Sequence, residues 1–376
     1  MWLLDALTRA GYCAVLIEKH ALGQGQTVCA QGIIHSGLKY TLRGSMTASA
    51  SAIRDMPGLW RRCLTGDTQP DLSATRVRSD FCYLWRTQSI TSKLGMVGAR
   101  AGLKVKPIRL PPGELPDVLT DCPGGVFRLD EQVIAPETML QTLLDRHRQR
   151  IIQASEVDFE LQDGRVAALT LQGVRVVPEH VVLSAGAGNA ALRQAIGLSN
   201  PCMQKRPLHM VMMRGELPML QGHCVDGAKT RATITSDHDA QGRVVWQVGG
   251  QIAEDGVAMS PDVFLPYAKR EVQTVLPGLN LNAIQWASYR VDRAEYASPS
   301  GKRPENHSVI VEGNVITAWP TKLAMAPVLA DDIVSRLGPP QAEDNLGKLA
   351  DKLADLPRPV VADPPWETPQ QWTSDL

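Results

Sequence analysis

The chain opens MWLLDALTRAGYCAVLIEKH, and that stretch restricts the fold more than any other. Leu3, Leu4, Leu7 and Ala10 recur at helical spacing, Gly11 closes the helix, and residues 13–17 form an apolar run ending on Glu18. Helix, glycine, strand and acid are the second half of a βαβ unit, which calls for a parallel sheet. An acid at the end of such a strand is the group that accepts ribose hydroxyls when the unit holds a nucleotide.

The 376 residues, 44% of them hydrophobic, suffice to bury a large core and suggest two structural units. Lysine plus arginine equals aspartate plus glutamate at 39 each, so there is no overall pull toward nucleic acid or anionic lipid. Seven cysteines with no C-x-x-C pair read as reduced thiols, neither a disulfide frame nor a zinc site. No apolar stretch approaches the roughly 20 residues needed to span a bilayer. Asp5 and Arg9 break the apolar start, so no secretory signal is read there, and a cytoplasmic protein is expected.

Further along, the spacing predicts a strand at 126–130 and a helix over 136–150 carrying Met139, Leu140, Leu143 and Leu144 on one side. Strands are predicted over 151–161, 166–172 and 174–177. A run at 181–184 then opens into Ala185, Gly186, Ala187 and Gly188 and a helix over 189–196. Residues 206–293 alternate strands and turns, which suggests an antiparallel sheet. Strands at 308–311 and 314–318 lead into Pro320, Thr321, Lys322 and Leu323, where a helix is expected to begin. From Gly338 the composition turns to proline and charge, the mark of a partly ordered tail.

Four segments in this order resemble the FAD-binding fold of the glutathione-reductase type, and more narrowly the D-amino-acid oxidase and glycerol-3-phosphate dehydrogenase superfamily. They are the opening through Glu18, TVCAQGIIHSG at 27–37, VVLSAGAG at 181–188 and PTKL at 320–323. The resemblance implies an α/β fold: a Rossmann-like FAD domain from 1–42, 117–200 and 305–338, and an antiparallel-sheet substrate or cap domain from 43–116 and 201–304. Residues 339–376 remain as the polar tail.

The resemblance also assigns roles. Glu18, with Lys19 beside it, would hold the adenosine ribose, and Val157 the adenine through its backbone. Thr27, Ala30, Gln31, Gly32 and Gly37 would lie along the pyrophosphate and isoalloxazine, with His35 near the flavin. Ala185 and Gly186 would make a second close approach. Pro320, Thr321, Lys322 and Leu323 would bring a helix N-terminus to the flavin's pyrimidine edge, where a positive end favours the reduced, anionic ring. Relatives often carry glycines at that turn. The glycine fingerprint of the family would fall just before Met1, because the helix-closing glycine follows its last glycine by roughly eleven residues. That count leads to the expectation of an N-terminally truncated or decayed copy that binds FAD poorly.

The implied chemistry is removal of a hydride from a small hydroxy or amino compound: a hydroxy acid, an amino acid or glycerol phosphate. His35, Arg290 and Lys322 are the candidate catalytic residues, Arg290 and Arg293 as grips on a substrate anion unless local acids pair with them. His209, His238 and Arg303 are further candidates for polar lining. No metal set with ligand spacing and no G-x-S-x-G elbow is found in the sequence. The partners implied are a small-molecule substrate and an electron acceptor, with no nucleic acid and no transmembrane segment. Two other readings stand beside this one: an inactive remnant or non-enzymatic binding subunit of the same fold, and an NAD-dependent dehydrogenase using Glu18.

Overall fold

The computed structural model describes residues 1–36, 53–87, 107–198, 201–227, 229–340 and 351–376. Its first helix, Trp2–Arg9, and strand Leu16–Glu18 follow the opening pattern, with Gly11 between them at φ +87°. Leu16–Glu18 pairs in parallel with Ile151–Gln153, setting Glu18 opposite Gln153. The crossover ends in helix Pro136–His147, which buries Met139, Leu140, Leu143 and Leu144 as their spacing requires. A second parallel contact joins Val181–Leu183 to Val315–Trp319, which also pairs antiparallel with Ser308–Glu312.

The largest unit is an eight-stranded sheet. From one edge its strands run Gln285–Tyr296, Met203–Gly215, Val244–Gly249, Lys229–His238, Gly222–Asp226, Cys82–Arg86, Phe127–Leu129 and Ile108–Arg109. All neighbours are antiparallel except Gly222–Asp226 against Cys82–Arg86. Period-two alternation gives the sheet two faces. Val211, Met213, Trp246 and Val248 pack with Phe264, Leu265, Ala268 and Val272 of helix Pro261–Val275. Met212, Val245 and Ala287 belong to a separate cluster on the opposite face, closed by Trp366.

Four sequence expectations change. The strand predicted over 151–161 is broken into Ile151–Gln153 and Asp158–Gln162, so Val157 lies in the connection. The second piece leaves the parallel pair for an antiparallel sheet with Arg165–Leu171 and Val174–Val176. Phe127–Leu129 joins the large sheet, because Phe127 and Leu129 are buried with Leu84 and Val225 there. The helix expected at Pro320 begins later, as a 3₁₀ turn Leu323–Met325 running into Ala326–Arg336. Thr321 before it has φ +59°, a left-handed geometry that a glycine adopts without strain.

The last change concerns the C-terminal stretch. Residues 351–376 cross the molecule instead of trailing from it: Leu22 and Val361 form a parallel bridge, and Trp286 exchanges two backbone hydrogen bonds with Thr373. Leu353, Leu356 and Trp366 are buried, which a solvated tail would not allow. Among the described residues, no helix is long and apolar enough to cross a membrane.

Candidate active site

Glu18 stands half-buried at the C-terminal end of its strand, its carboxylate accepting the His20 N–H at 3.1 Å and its carbonyl accepting the Ala154 N–H. Lys19 is exposed beside it. Val157 follows the partner strand by four residues and packs with Leu353 and Leu356, beyond the same end of the parallel pair that carries Glu18. The next turn keeps open backbone: Gly25 has φ +88°, and a Cβ built there would meet nothing within 4 Å. A carboxylate at a strand end is an acceptor that fits a nucleotide's ribose hydroxyls, and the open glycine turn leaves room beside it; with no regular helix after it, that turn is not a phosphate-binding fingerprint.

Residues 26–36 then cross the inner face of the large sheet strand by strand. Gln26 Oε1 accepts the Ala294 N–H, and the Cys29 carbonyl accepts the Tyr289 hydroxyl at 3.3 Å and the Gln247 amide at 3.5 Å. Gln31 Nε2 donates to the Thr233 and Gln247 carbonyls at 2.9 and 3.1 Å. Gly249 makes room, since a Cβ there would lie 2.8 Å from Gln31 Oε1. Gly32, at φ +74°, lets the chain meet Ile134: a Cβ would stand 2.0 Å from the Ile134 oxygen. Thr27 and Ala30 close the preceding turn, Ala30 N–H donating to the Thr27 carbonyl. Gly37 lies outside the described residues.

His35 ends this crossing beside a buried carboxylate that the sequence reading missed. His35 Nδ1 lies 3.5 Å from Glu131 Oε2, and His223 Nε2 lies 3.2 Å from the same oxygen. Glu131 Oε1 accepts both the Ser36 N–H and its hydroxyl, at 2.8 and 2.9 Å. Burial pushes the Glu131 carboxyl up, but the two facing imidazoles of His223 and His35 outweigh it and hold it well below the usual carboxylate range. The nitrogens and the carboxylate oxygen lie within 4.8 Å of one another, a spacing that also suits a metal. His223 at one Glu131 oxygen and Ser36 at the other engage the carboxylate by hydrogen bonds, while His35 Nδ1 faces it without forming one. Glu131 sits in a turn and His223 on a strand 92 residues away, so no spacing in the sequence joins them.

Ala185, Gly186, Pro320, Thr321, Lys322 and Leu323 meet at the other parallel pair. Asn189 Oδ1 accepts the Ala185 N–H and Trp319 Nε1 donates to the Gly186 carbonyl, tying that turn to the strand before Pro320. Gly186, at φ +57°, has no atom within 4 Å of a built Cβ. Ala324 and Met325 share an apolar cluster with Val28 and Ile34, with Leu323 packed against it, so this end reaches the crossing segment. Lys322 Nζ donates to the Glu305 carbonyl at 2.9 Å.

The other predicted cations hold structure. Arg290 donates from its two terminal amino groups to the Val257 and Met259 carbonyls, and Arg293 pairs with Glu254 at 3.1 Å. Local acids do pair, though with other partners: Glu295 with Arg206 and Asp292 with Lys205. His209 is buried between the Gly256 carbonyl and the Ser288 hydroxyl and stacks on Phe264 at 4.1 Å. Burial pushes its imidazole below its ordinary value. His238 is exposed, and Arg303 is half-buried.

The sequence profile described as "FAD dependent oxidoreductase" matches residues 2–324. The chain belongs to this family. It is 40% identical over 374 residues to the "Probable FAD-dependent oxidoreductase PA4991" of Pseudomonas aeruginosa, covering 98% of this chain and 94% of that protein. The crystal structure of that protein superposes with a TM-score of 0.82 at 37% identity, over 97% of this chain and 94% of the other. Two more distant folds agree. Glycine oxidase from Geobacillus kaustophilus gives a TM-score of 0.61 at 13% identity over 89% and 93% of the two chains. L-α-glycerophosphate oxidase from Mycoplasma pneumoniae, solved with FAD, gives 0.58 at 12% over 88% and 90%. The family is FAD-dependent, and this chain is an FAD-dependent oxidoreductase of it.

Proposed function

We propose that this flavoprotein oxidises a small hydroxy compound, a hydroxy acid or glycerol phosphate, with His35 receiving the hydroxyl proton. The observation that carries this is His35 itself, an imidazole at the end of the segment assigned to the isoalloxazine, with Nδ1 turned to the buried Glu131. Removing a hydride from an alcohol carbon also requires the O–H proton to leave, so a base beside the ring suits an alcohol. A neutral amine has less need of one, which makes an amino acid the second class. FAD, when bound, supplies the hydride acceptor.

This chain's residues supply the rest of the reading. Glu18 accepts from the ribose hydroxyls, and the backbone at Ala30, Gly32, Ala185 and Gly186 lies along the cofactor, with Val157 toward the adenine. The turn from Pro320 to Leu323 offers N–H groups to the ring's pyrimidine edge. Arg290, engaged with two carbonyls, is assigned to holding the 256–259 loop and not to substrate. The parallel-strand segments serve the cofactor and the large sheet serves the substrate. The test is anaerobic: purified protein is scanned for flavin absorbance, then mixed with hydroxy acids, glycerol phosphates and amino acids while bleaching is followed. Bleaching by a hydroxy compound, lost in His35→Asn, is expected; bleaching by amino acids alone sinks the proposal.

A further inference from the structure

Arg86 is a cation on the large sheet with no counter-ion among the described residues. It ends strand Cys82–Arg86, where Cys82 and Leu84 are buried with Ile33, Phe127 and Val225, while Trp85 belongs to the core under helix Pro261–Val275. Alternation along the strand therefore puts Arg86 on the face that residues 26–36 cross, away from the helix. The register agrees: Leu84 lies opposite His223, which bonds Glu131, and Arg86 lies opposite Val225, two residues further on. Two strand residues span about 7 Å, within reach of an arginine side chain.

The guanidinium lies against the backbone of Gly124. A Cβ built there would stand 2.4 Å from Arg86 Nε and 2.6 Å from Nη2, and Gly124 takes φ +85°. Arg86 Nη1 is shut off from solvent and has no hydrogen-bond partner. A guanidinium keeps its charge at every working pH, and a buried charge without a partner is costly.

The acids around it are engaged elsewhere. Asp226, next to Val225, alternates to the helix face and pairs with Arg231 at 3.5 Å. Asp130 pairs with Arg61, and Glu131 is held by His223 and Ser36. Asp121 packs against Gly278, where a built Cβ would lie 2.6 Å from its Oδ2. The adjoining sequence offers no acid either. Residues 88–106, which follow the strand, contain Lys93, Arg100, Lys104 and Lys106 but no Asp or Glu, and residues 37–52, which follow Ser36, contain Lys39 and Arg43 and again no acid. In a chain of zero net charge this is a local excess of positive charge.

We propose that Arg86 is the anion grip of the substrate site, its Nη1 taking an oxygen of a carboxylate or phosphate on the hydroxy compound while the hydroxyl carbon lies toward His35. This rests on the reading of His35 as the proton acceptor. It gives Arg86 the role that Arg290, spent on two carbonyls, does not fill. Carboxylate and phosphate share the relevant chemistry, oxygens that a guanidinium takes by charge-assisted hydrogen bonds. A neutral alcohol is disfavoured because it leaves the guanidinium unpaired.

The experiment measures, on anaerobic holoprotein, the concentration that half-saturates flavin bleaching. The fastest hydroxy acid is set against its methyl ester, and the fastest glycerol phosphate against glycerol; the anion with the lower value distinguishes carboxylate from phosphate. In wild type that anion is expected to half-saturate at least about tenfold below its uncharged counterpart. Arg86→Met is expected to raise the anion's value at least about tenfold and to leave the counterpart's value and the limiting rate within about threefold. Arg86→Lys should recover part of the difference. Binding without turnover is read by titrating acetate and inorganic phosphate into holoprotein and following flavin absorbance, with the tighter of the two weakened at least about tenfold in Arg86→Met. Should that variant fail to fold, Arg86→Lys and the wild-type comparison decide. Equal half-saturation by anion and counterpart in wild type overturns the assignment, as does an anion value unmoved in the variants or raised equally with the counterpart's. Failure of the parent reading looks different: His35→Asn bleaches at the wild-type rate, or amino acids alone bleach, while Arg86→Met still weakens acetate or phosphate.

Discussion

The large sheet and the Glu18 strand pair are held in opposite ways. The sheet has strands of up to 13 residues, and its helix-facing side is filled by its own neighbours in sequence, the helix Pro261–Val275 among them. The Glu18 pair has two strands of three residues each, far too little hydrogen bonding to persist alone. Borrowed segments complete it. The C-terminal stretch bridges Leu22 and gives the Gln153 N–H its acceptor at Pro357, then runs on to the sheet, where Trp366 lies under Arg78. The half that carries Glu18 thus depends on residues more than 300 positions away, whereas the half that carries Gln247 and His223 is largely self-built.

That contrast can be broken by removing residues 351–376. Losing the burial of Leu353, Leu356 and Trp366 should cost roughly 5 kcal/mol or more. The loss should fall first on the Glu18 pair, read as faster amide exchange at Leu16, Ile17 and Ile152 than at Val211 or Trp246. Uniform exchange across both regions would refute the asymmetry.

Next in size is the ion-pair anchor of the strap. Asp237, 2% exposed, pairs with the equally buried Arg78 at 2.7 Å and with Arg76. Asp237→Ala strands the Arg78 guanidinium over Trp366 and should cost about 3–5 kcal/mol in chemical denaturation. A loss below about 1 kcal/mol would mean that Glu137, 3.5 Å from Arg78, already balances it.

A smaller change sharpens the junction between the two regions. Gly32→Ala forces a methyl against the Ile134 oxygen at a left-handed φ, so the crossing segment must shift. The expected cost is about 2–3 kcal/mol, with weakened FAD retention on gel filtration. Retention equal to wild type would remove the crossing segment from the cofactor site.

The smallest effect is in pH. The folded value of His209 lies below its unfolded one, so the unfolded chain binds the extra proton. Stability attached to His209 is therefore full above about pH 6.5 and falls as pH drops below it. Glu131 acts lower, its contribution present above about pH 4.5 and lost as pH falls toward its depressed folded value. In His209→Gln the slope of melting temperature between pH 7 and 5.5 should flatten, and an unchanged slope would assign it to other groups.

Much of the backbone was legible from local pattern. The opening helix, Gly11 and the Glu18 strand follow from spacing within 18 residues, and the buried side of Pro136–His147 follows from its period. Boundaries failed where propensity and packing disagree: Phe127–Leu129 reads like any short apolar strand, and only its burial with Leu84 and Val225 says which sheet takes it. Arg290 was visible as a cation, but whether it faces substrate or the Val257 and Met259 carbonyls depends on a loop packed from elsewhere.

The sequence by itself determined the parallel unit with its terminal acid, the FAD resemblance and the presence of His35, because each is written in short-range spacing and residue type. Tertiary structure alone decided that His35 meets Glu131 and His223, that Gln31 plugs the large sheet, and that the C-terminal stretch is a strap. Those contacts join residues about 90 to more than 300 positions apart. Such distances are closed by burial of whole faces, a cooperative effect that no local window of sequence contains.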